Sequence, residues 1–187
     1  MSPSPFLPIG RFPTSGFRPT FSTRCYACCM SILRFLMLLS LVVWLGGLIF
    51  FAFVVAPAAF AVLPTHHLAG NVVNRSLSAL HWMGIVSGLV FVGASMAHAC
   101  LATGRLRPFS MPQLLVCLMV LLTLVSQFAI SGRMAALRTE IGVIDEVSPS
   151  DARRVQFNRL HHWSVRTETA VLVLGLAVLY LTVRKLS

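Results

Sequence analysis

Four polar side chains lie in otherwise apolar stretches of this chain and are its best candidates for chemistry: His81, Gln127, His161 and Glu168. An ionisable side chain inside a membrane is costly, so it marks a candidate functional site. Two histidines that face each other on neighbouring helices are also a ligand set for haem iron or copper. The residue types therefore allow either a hydrogen-bonded polar cluster or, as the alternative, a cofactor site at His81 and His161.

The helical positions of these residues favour the cluster. His161 and Glu168 fall within about 40° of each other on one face of a helix, at 100° per residue. Arg166 points away from Glu168 by about 160°, so it cannot pair with that carboxyl group on its own helix. Polar groups commonly bridge membrane helices, and a carboxyl group buried without a cation would be a neutral hydrogen-bond donor. We predict an intramembrane cluster that holds the helices in register, formed by His81, Gln127, His161 and Glu168.

Glycines at helical spacing indicate where helices approach closely. The adjacent pair Gly46 and Gly47 follows Trp44, and the GxxxG-type pair Gly84 and Gly88 lies on the same side of its helix as His81. Small residues at such positions let a neighbouring backbone come near. All four glycines are predicted to be helix contacts, which would turn His81 toward the bundle rather than the lipid.

A second collection of side chains could in principle bind Cu(I), because sulfur and imidazole are soft ligands. However, His98 and Cys100 diverge by about 200° around their helix, and methionine is an ordinary apolar filler. We therefore predict no metal site among these side chains, which are Met96, His98, Cys100, Met111, Cys117 and Met119.

The sequence carries no recognisable catalytic motif. It contains no G-x-S-x-G, no H-E-x-x-H, no P-loop and no carboxylates paired at catalytic spacing. The adjacent pairs His66-His67 and His161-His162 point to different sides of a helix and cannot chelate one ion together. We expect a protein that is not an enzyme and that carries no cofactor.

Composition places the chain in a membrane. It is 57% hydrophobic and only 11% charged, with a mean hydropathy of +0.83, whereas a soluble domain is about a quarter charged. The net charge of +10 is spread without basic runs, which argues against nucleic acid and for arginines that flank membrane spans. The expected partner is the lipid bilayer, with exposed helix faces that allow association with a copy of the chain or with another membrane protein.

Apolar runs separated by turn signals predict an all-α, up-down four-helix bundle that spans the cell membrane several times, in a bacterium the inner membrane. A proline at position 57 should kink or loosen the first helix. The third and fourth helices are long enough to project beyond the bilayer as a hairpin. The four predicted helices cover residues about 31–63, 66–103, 113–141 and 149–184.

The first 29 residues differ from the rest. They are rich in proline and serine, contain three arginines and have no acidic residue or hydrophobic period. This composition is typical of disorder, and Met30 would serve as an alternative start, which would make residues 1–29 a mis-assigned extension. The transmembrane domain is therefore predicted to be 30–187.

Five segments of the chain follow one another in a distinctive order: LRFLMLLSLVVWLGGLIFFAFVVAPAAFAVLP, AG at 69–70, LHWMG at 80–84, SQFAISGRMAALR at 126–138 and FNRLHHWSVRTETAVLVLG at 157–175. Together these segments resemble the transmembrane protein 205-like family, a domain of unknown function. The resemblance implies a four-helix integral membrane domain without an established biochemical role, and it implies an amide where this chain has Glu168.

A second, narrower resemblance supports the alternative function. The W-x-G-G at 44–47 and the placement of the histidines are similar to copper-resistance D-type membrane proteins. This resemblance implies a metal- or haem-binding membrane protein.

Overall fold

The computed structural model describes residues 21–104, 110–142, 147–148 and 150–186. Within these ranges the chain forms helices and turns, with no strand. Four of the helices are long and apolar enough to cross a membrane. The predicted all-α membrane bundle is confirmed.

Two of the four membrane helices found in the described residues are interrupted by a π-helical segment. The bounds are as follows: α1 comprises Phe21–Phe50, the π-helix Phe51–Val55 and Ala56–Val62; α2 is His66–Thr103; α3 comprises Met111–Val125, the π-helix Ser126–Ser131 and Gly132–Ile141; α4 is Ala152–Leu186.

The helices pack as a closed ring. α1 packs against α2, α2 against α3, α3 against α4, and α4 returns to α1. This order follows from short connections between antiparallel neighbours. The main apolar core lies in the middle of the ring and includes Leu41, Trp44, Phe91, Met119 and Val171.

α1 begins earlier than the sequence predicts. It starts at Phe21 rather than near residue 31, so residues 21–29 of the predicted disordered segment are helical. The physical reason is that no proline or glycine occurs between Pro19 and Gly46, so nothing breaks the helix. The Tyr26 hydroxyl donates to the Leu101 carbonyl at 2.6 Å and joins this first part of α1 to α2. Residues 1–20 lie outside the described residues.

The irregularity expected at Pro57 takes the form of a π-helix. Proline has no N–H to donate, and its ring clashes with the carbonyl four residues earlier, here that of Phe53. The turn before Pro57 is the π-helical segment Phe51–Val55. A wider turn relieves the clash without ending the helix, and α1 continues to Val62.

α2 has the predicted bounds. The Thr65 hydroxyl accepts a hydrogen bond from the Leu68 N–H at 3.2 Å and caps its start. Gly104 ends it with a φ of 64°, a left-handed conformation that favours glycine. Between these residues α2 is uninterrupted.

α4 begins at Ala152, later than the predicted start at Pro149, which lies outside the described residues. Asp151 caps the helix, because its Oδ1 accepts from the Arg153 backbone N–H at 2.8 Å. The hydrogen bonds from the Arg153 side chain and backbone hold the pKa of Asp151 below its ordinary value.

α3 and α4 stay packed together at the end of the bundle where α1 turns into α2. This part of the hairpin has its own apolar cluster of buried side chains, formed by Ile130, Met134, Leu137, Ile141 and Phe157. This separate cluster therefore holds α3 and α4 together at that end of the bundle.

Trp44 fixes the distance between α1 and α2. Its side chain is 2% exposed, and its indole ring lies directly over Gly84 and Gly88. A Cβ atom added at Gly84 would overlap the indole nitrogen, and one at Gly88 would come within 3.0 Å of Cζ3. Gly47 makes a similar contact, since its Cβ would meet Leu80 Cδ1 at 2.8 Å.

The prediction for Gly46 is wrong. Gly46 is exposed, and a Cβ added there would meet nothing within 4 Å. It lies about 100° around the helix from Gly47, which turns it out of the interface.

Gly84→Ala should destabilise the bundle by about 1–3 kcal/mol, because the rigid indole ring of Trp44 leaves no room for a methyl group. Gly46→Ala is the matched control, with open space around it, and should change stability little. Thermal unfolding of the purified variants in detergent measures both. Equal stability of the two variants would contradict the packing described for Trp44.

Candidate functional site

His81 is the centre of a buried hydrogen-bonded cluster. It is 2% exposed. Its Nδ1 lies 2.7 Å from Gln127 Oε1 on α3, and its Nε2 lies 2.7 Å from Glu168 Oε1 on α4. One imidazole therefore joins three helices.

Two serines complete the cluster. The Ser126 hydroxyl donates to Glu168 Oε1 at 3.0 Å, and the Gln127 amide nitrogen donates to the Ser78 hydroxyl at 3.0 Å. Ser126 is fully buried. Neither serine was among the residues predicted for the cluster, although Ser78 lies three residues before His81 and so on the same helix face. The spacing of Ser78 and His81 could therefore have predicted that Ser78 belongs to the cluster.

The hydrogen bonds determine how protons are arranged. An amide oxygen can only accept, so His81 Nδ1 must carry a proton and donate to Gln127. The contact between Nε2 and Glu168 then needs one further proton, held by either atom. A neutral acid beside a neutral imidazole and a carboxylate beside an imidazolium have the same total charge. The pair is therefore neutral overall in both forms, which suits an apolar surrounding.

The π-helical segment of α3 supplies two members of the cluster. Ser126 and Gln127 are the first two residues of the π-helix Ser126–Ser131. An i→i+5 turn holds more residues than an α-helical turn, so consecutive side chains diverge less in direction. Both side chains can thus reach the same buried site. Such segments are frequent at functional sites.

His161 does not join the cluster, contrary to the prediction. It lies seven residues before Glu168, about 10 Å along α4, and its side chain is exposed. Its ring lies 6.2 Å from that of His162. His161 lies on the same side of α4 as Glu168, but it is too far from Glu168 along the helix axis to reach the cluster.

The positions of His81 and His161 disfavour a shared haem or copper site. Both ring nitrogens of His81 are held by hydrogen bonds to Gln127 and Glu168. Ligation by His81 would require one of these bonds to break, and His161 lies about two turns away from the level of Glu168.

The soft-ligand collection is dispersed. Met111 is 67% exposed, Cys100 and Cys117 are exposed, and Met119 is buried in the core. His98 accepts a hydrogen bond from Arg34 at 3.2 Å. In the part of the chain that the structure describes, no three histidine, cysteine or acidic side chains are placed to hold a metal ion.

A groove of about 530 Å³ opens beside the cluster. All four helices contribute to its walls, and Glu168 is shared between the cluster and the groove. The Glu168 side chain is 17% exposed, in contrast to 2% for His81. The cluster therefore has one member that a molecule in the groove can contact.

The groove exists because the bundle separates into two pairs of helices. The segment Ala56–Val62 of α1 packs on α2, while Gly132–Ile141 of α3 packs on α4. Arg138 bridges the two pairs, since its Nη1 donates to the Gly70 carbonyl at 2.9 Å and to Asn71 Oδ1 at 3.1 Å. Gly70 leaves room for the guanidinium group, because an added Cβ would lie 2.8 Å from Nη2.

These features define a multi-pass, four-helix membrane protein with a buried polar cluster and a groove between its helices. The family model for a domain of unknown function (DUF4149) matches residues 39–142, more than half of the chain. The protein belongs to this family. Trp44, His81 and Gln127 lie within the matched range, whereas α4 with Glu168 lies outside it. No curated protein and no solved structure matches the chain.

His81→Ala should destabilise the folded protein by about 1–3 kcal/mol, because it leaves Gln127 and Glu168 without their buried partner. His161→Ala removes an exposed ring of the same type on α4 and should change stability by less than about 0.5 kcal/mol. Unfolding in mixed detergent micelles compares the two. If both variants lose the same stability, the cluster does not hold the helices together.

Proposed function

We propose that this protein is a transmembrane protein 205-like, non-enzymatic membrane protein in which a buried polar cluster keeps the helices in a fixed arrangement around a groove. The observation that carries the proposal is the double hydrogen bond of His81, to Gln127 on α3 and to Glu168 on α4. The transmembrane protein 205-like assignment rests on the resemblance of the five segments given above, which lie in all four helices.

The surroundings of the cluster support a structural role. Lipid offers no hydrogen bonds, so a polar group in a membrane helix must find partners on other helices. Here an imidazole, an amide and a carboxyl group from three helices serve as one another's partners. A shift of one helix relative to the others would leave several of these groups unsatisfied. The cluster therefore favours one arrangement of the bundle.

The same geometry argues against a hydrolytic triad, although serine, histidine and an acid are all present. In such a triad the serine hydroxyl is hydrogen-bonded to the imidazole, which removes its proton. In this site Ser126 donates to Glu168, and both ring nitrogens of His81 are engaged by Gln127 and Glu168. Ser126 is also fully buried. The arrangement lacks an accessible nucleophile with a base beside it.

The location proposed for the protein is the cell membrane, and in a bacterium the inner membrane. Four apolar α-helices carry the spans, whereas outer membranes are typically crossed by β-barrels. The bilayer is the proposed partner, and the exposed apolar faces also suit contact with a copy of this chain or with another membrane protein.

Glu168→Gln tests the structural role directly. The amide can donate to His81 and to the Ser126 oxygen, so we expect a loss of less than about 1 kcal/mol, similar to an average membrane hydrogen bond. Glu168→Leu removes both hydrogen bonds at comparable size and should cost clearly more. Unfolding in detergent compares the three proteins. A loss of about 3 kcal/mol or more in Glu168→Gln would instead indicate an ionised pair with His81.

The haem or copper alternative has its own measurement. The visible spectrum and the metal content of the detergent-solubilised protein should show neither a Soret band nor a stoichiometric metal. The spectra of His81→Ala and His161→Ala should then equal that of the unaltered protein. A Soret band or one metal per chain that disappears in either variant would overturn the proposal of a structural cluster.

A further inference from the structure

The groove between the helices has two chemically different ends. Toward the middle of the bundle its walls are mostly apolar, with Leu48, Phe51, Ala52, Leu77 and Leu172, and Glu168 of the cluster is the acidic side chain there. Toward the α1–α2 turn its lining is cationic or imidazole-bearing, with Arg138, Arg154, His66, His67 and His161. The two ends of the groove therefore match the two parts of an amphiphile, which has an apolar tail and a polar head.

The charge at the polar end favours an anion. Arg138 and Arg154 both line it, and Glu168 is the one acidic side chain among the described lining residues. Glu168 lies 14 residues, or about 21 Å, further along α4 than Arg154. It therefore does not pair with that arginine at the opening.

Two nitrogen atoms in the same region have no hydrogen-bond partner among the described residues. Arg138 Nε and His67 Nδ1 are both buried. The guanidinium Nε–H is an obligatory donor, and the imidazole nitrogen donates in one tautomer. Buried donors are normally paired. The unpaired nitrogens add to the excess of hydrogen-bond donors over acceptors at this end of the groove.

The groove, measured from its polar end, has the length of one acyl chain within a leaflet. The distance along α4 from His161 at the polar end to Leu172 is 11 residues, or about 17 Å. Half of the hydrocarbon core of a bilayer is about 15 Å. An acyl chain can therefore lie along the groove with its head group at the level of Arg138 and His161.

The groove is accessible from the side of the bundle that faces lipid. Its lining includes exposed residues of both α1 and α4, among them Ala52, Phe60 and Val165. α1 and α4 pack together before the π-helix of α1, and beyond it each packs on its own partner. A molecule can thus enter from the bilayer between these two helices.

We propose that the groove binds an anionic phospholipid of the surrounding bilayer. One acyl chain lies along Phe51, Ala52 and Leu172, and the phosphate group is held by Arg138 and Arg154. Both guanidinium groups already donate through Nη1, Arg138 to Gly70 and Asn71 and Arg154 to the Val147 carbonyl. Each arginine has five N–H donors, so further donors remain for phosphate oxygens. The second acyl chain stays in the bilayer. This inference does not depend on whether the polar cluster is structural.

The direct test counts bound lipid by native mass spectrometry of the full chain in a mild detergent. The protein is titrated with phosphatidylglycerol and, as the neutral counterpart, with phosphatidylcholine of the same acyl chains. We expect one phosphatidylglycerol per chain, bound several-fold more tightly than phosphatidylcholine. Equal binding of the two lipids would overturn the proposal. Displacement of phosphatidylglycerol by an equimolar amount of oleate would also overturn it, because the site would then belong to free fatty acids.

A pair of neighbouring arginines tests the head-group site. Arg154→Gln should weaken phosphatidylglycerol binding roughly fivefold, the effect of one arginine beside an anionic head group, and leave phosphatidylcholine binding unchanged. Arg153→Gln is the matched control, because Arg153 pairs with Asp151 at 3.1 Å and is not part of the groove lining. Equal effects of the two substitutions would contradict a phosphate site at Arg154.

A pair of alanines on α1 tests the acyl-chain site without touching a charge. Ala52→Phe fills the apolar part of the groove and should abolish stoichiometric phosphatidylglycerol binding. Ala58→Phe adds the same ring at an exposed position outside the groove lining and should leave binding intact. Retained binding in Ala52→Phe, with unfolding temperatures of both variants near that of the parent, would show that lipid does not occupy the groove.

Discussion

The contact between Trp44 and the glycine pair of α2 is the constraint on which the rest of the structure depends. A tryptophan is the largest side chain, yet this one is almost completely buried between two helices. It fits because Gly84 and Gly88 present bare backbone to its ring. The indole therefore acts as a spacer that sets both the distance and the rotation of α2 relative to α1. That rotation turns His81, one turn before Gly84, toward α3 and α4.

The polar cluster follows from this rotation. Once His81 faces the bundle, its two ring nitrogens must be satisfied inside an apolar environment, and Gln127 and Glu168 lie at the right height to do so. The hydrogen bonds then fix α3 and α4 relative to α2. The packing of the Trp44 ring and the hydrogen bonding of His81 thus favour the same arrangement of the four helices.

The two π-helical segments give the bundle its asymmetry. One segment lies just before Pro57 in α1, and beyond it the helices pack as the pairs α1–α2 and α3–α4. The segment at Ser126–Ser131 places Ser126 and Gln127 on the cluster. The bundle is therefore closed around the cluster and open between the cluster and the α1–α2 turn, where Arg138 bridges the two pairs of helices. A groove beside a rigid cluster is the consequence.

The sequence by itself determined the membrane class, the number of helices and most of their bounds, because apolar length and proline or glycine signals are local properties of the chain. It also identified three of the cluster residues, since His81, Gln127 and Glu168 are conspicuous in apolar surroundings. It could not decide the level of each side chain along the bundle. His161 has the right helical angle but lies two turns before Glu168 on α4, and Gly46 lies one residue away from the contact that Gly47 makes. Only the tertiary structure, through the height and rotation at which helices pack, decided which polar groups meet and where the groove opens.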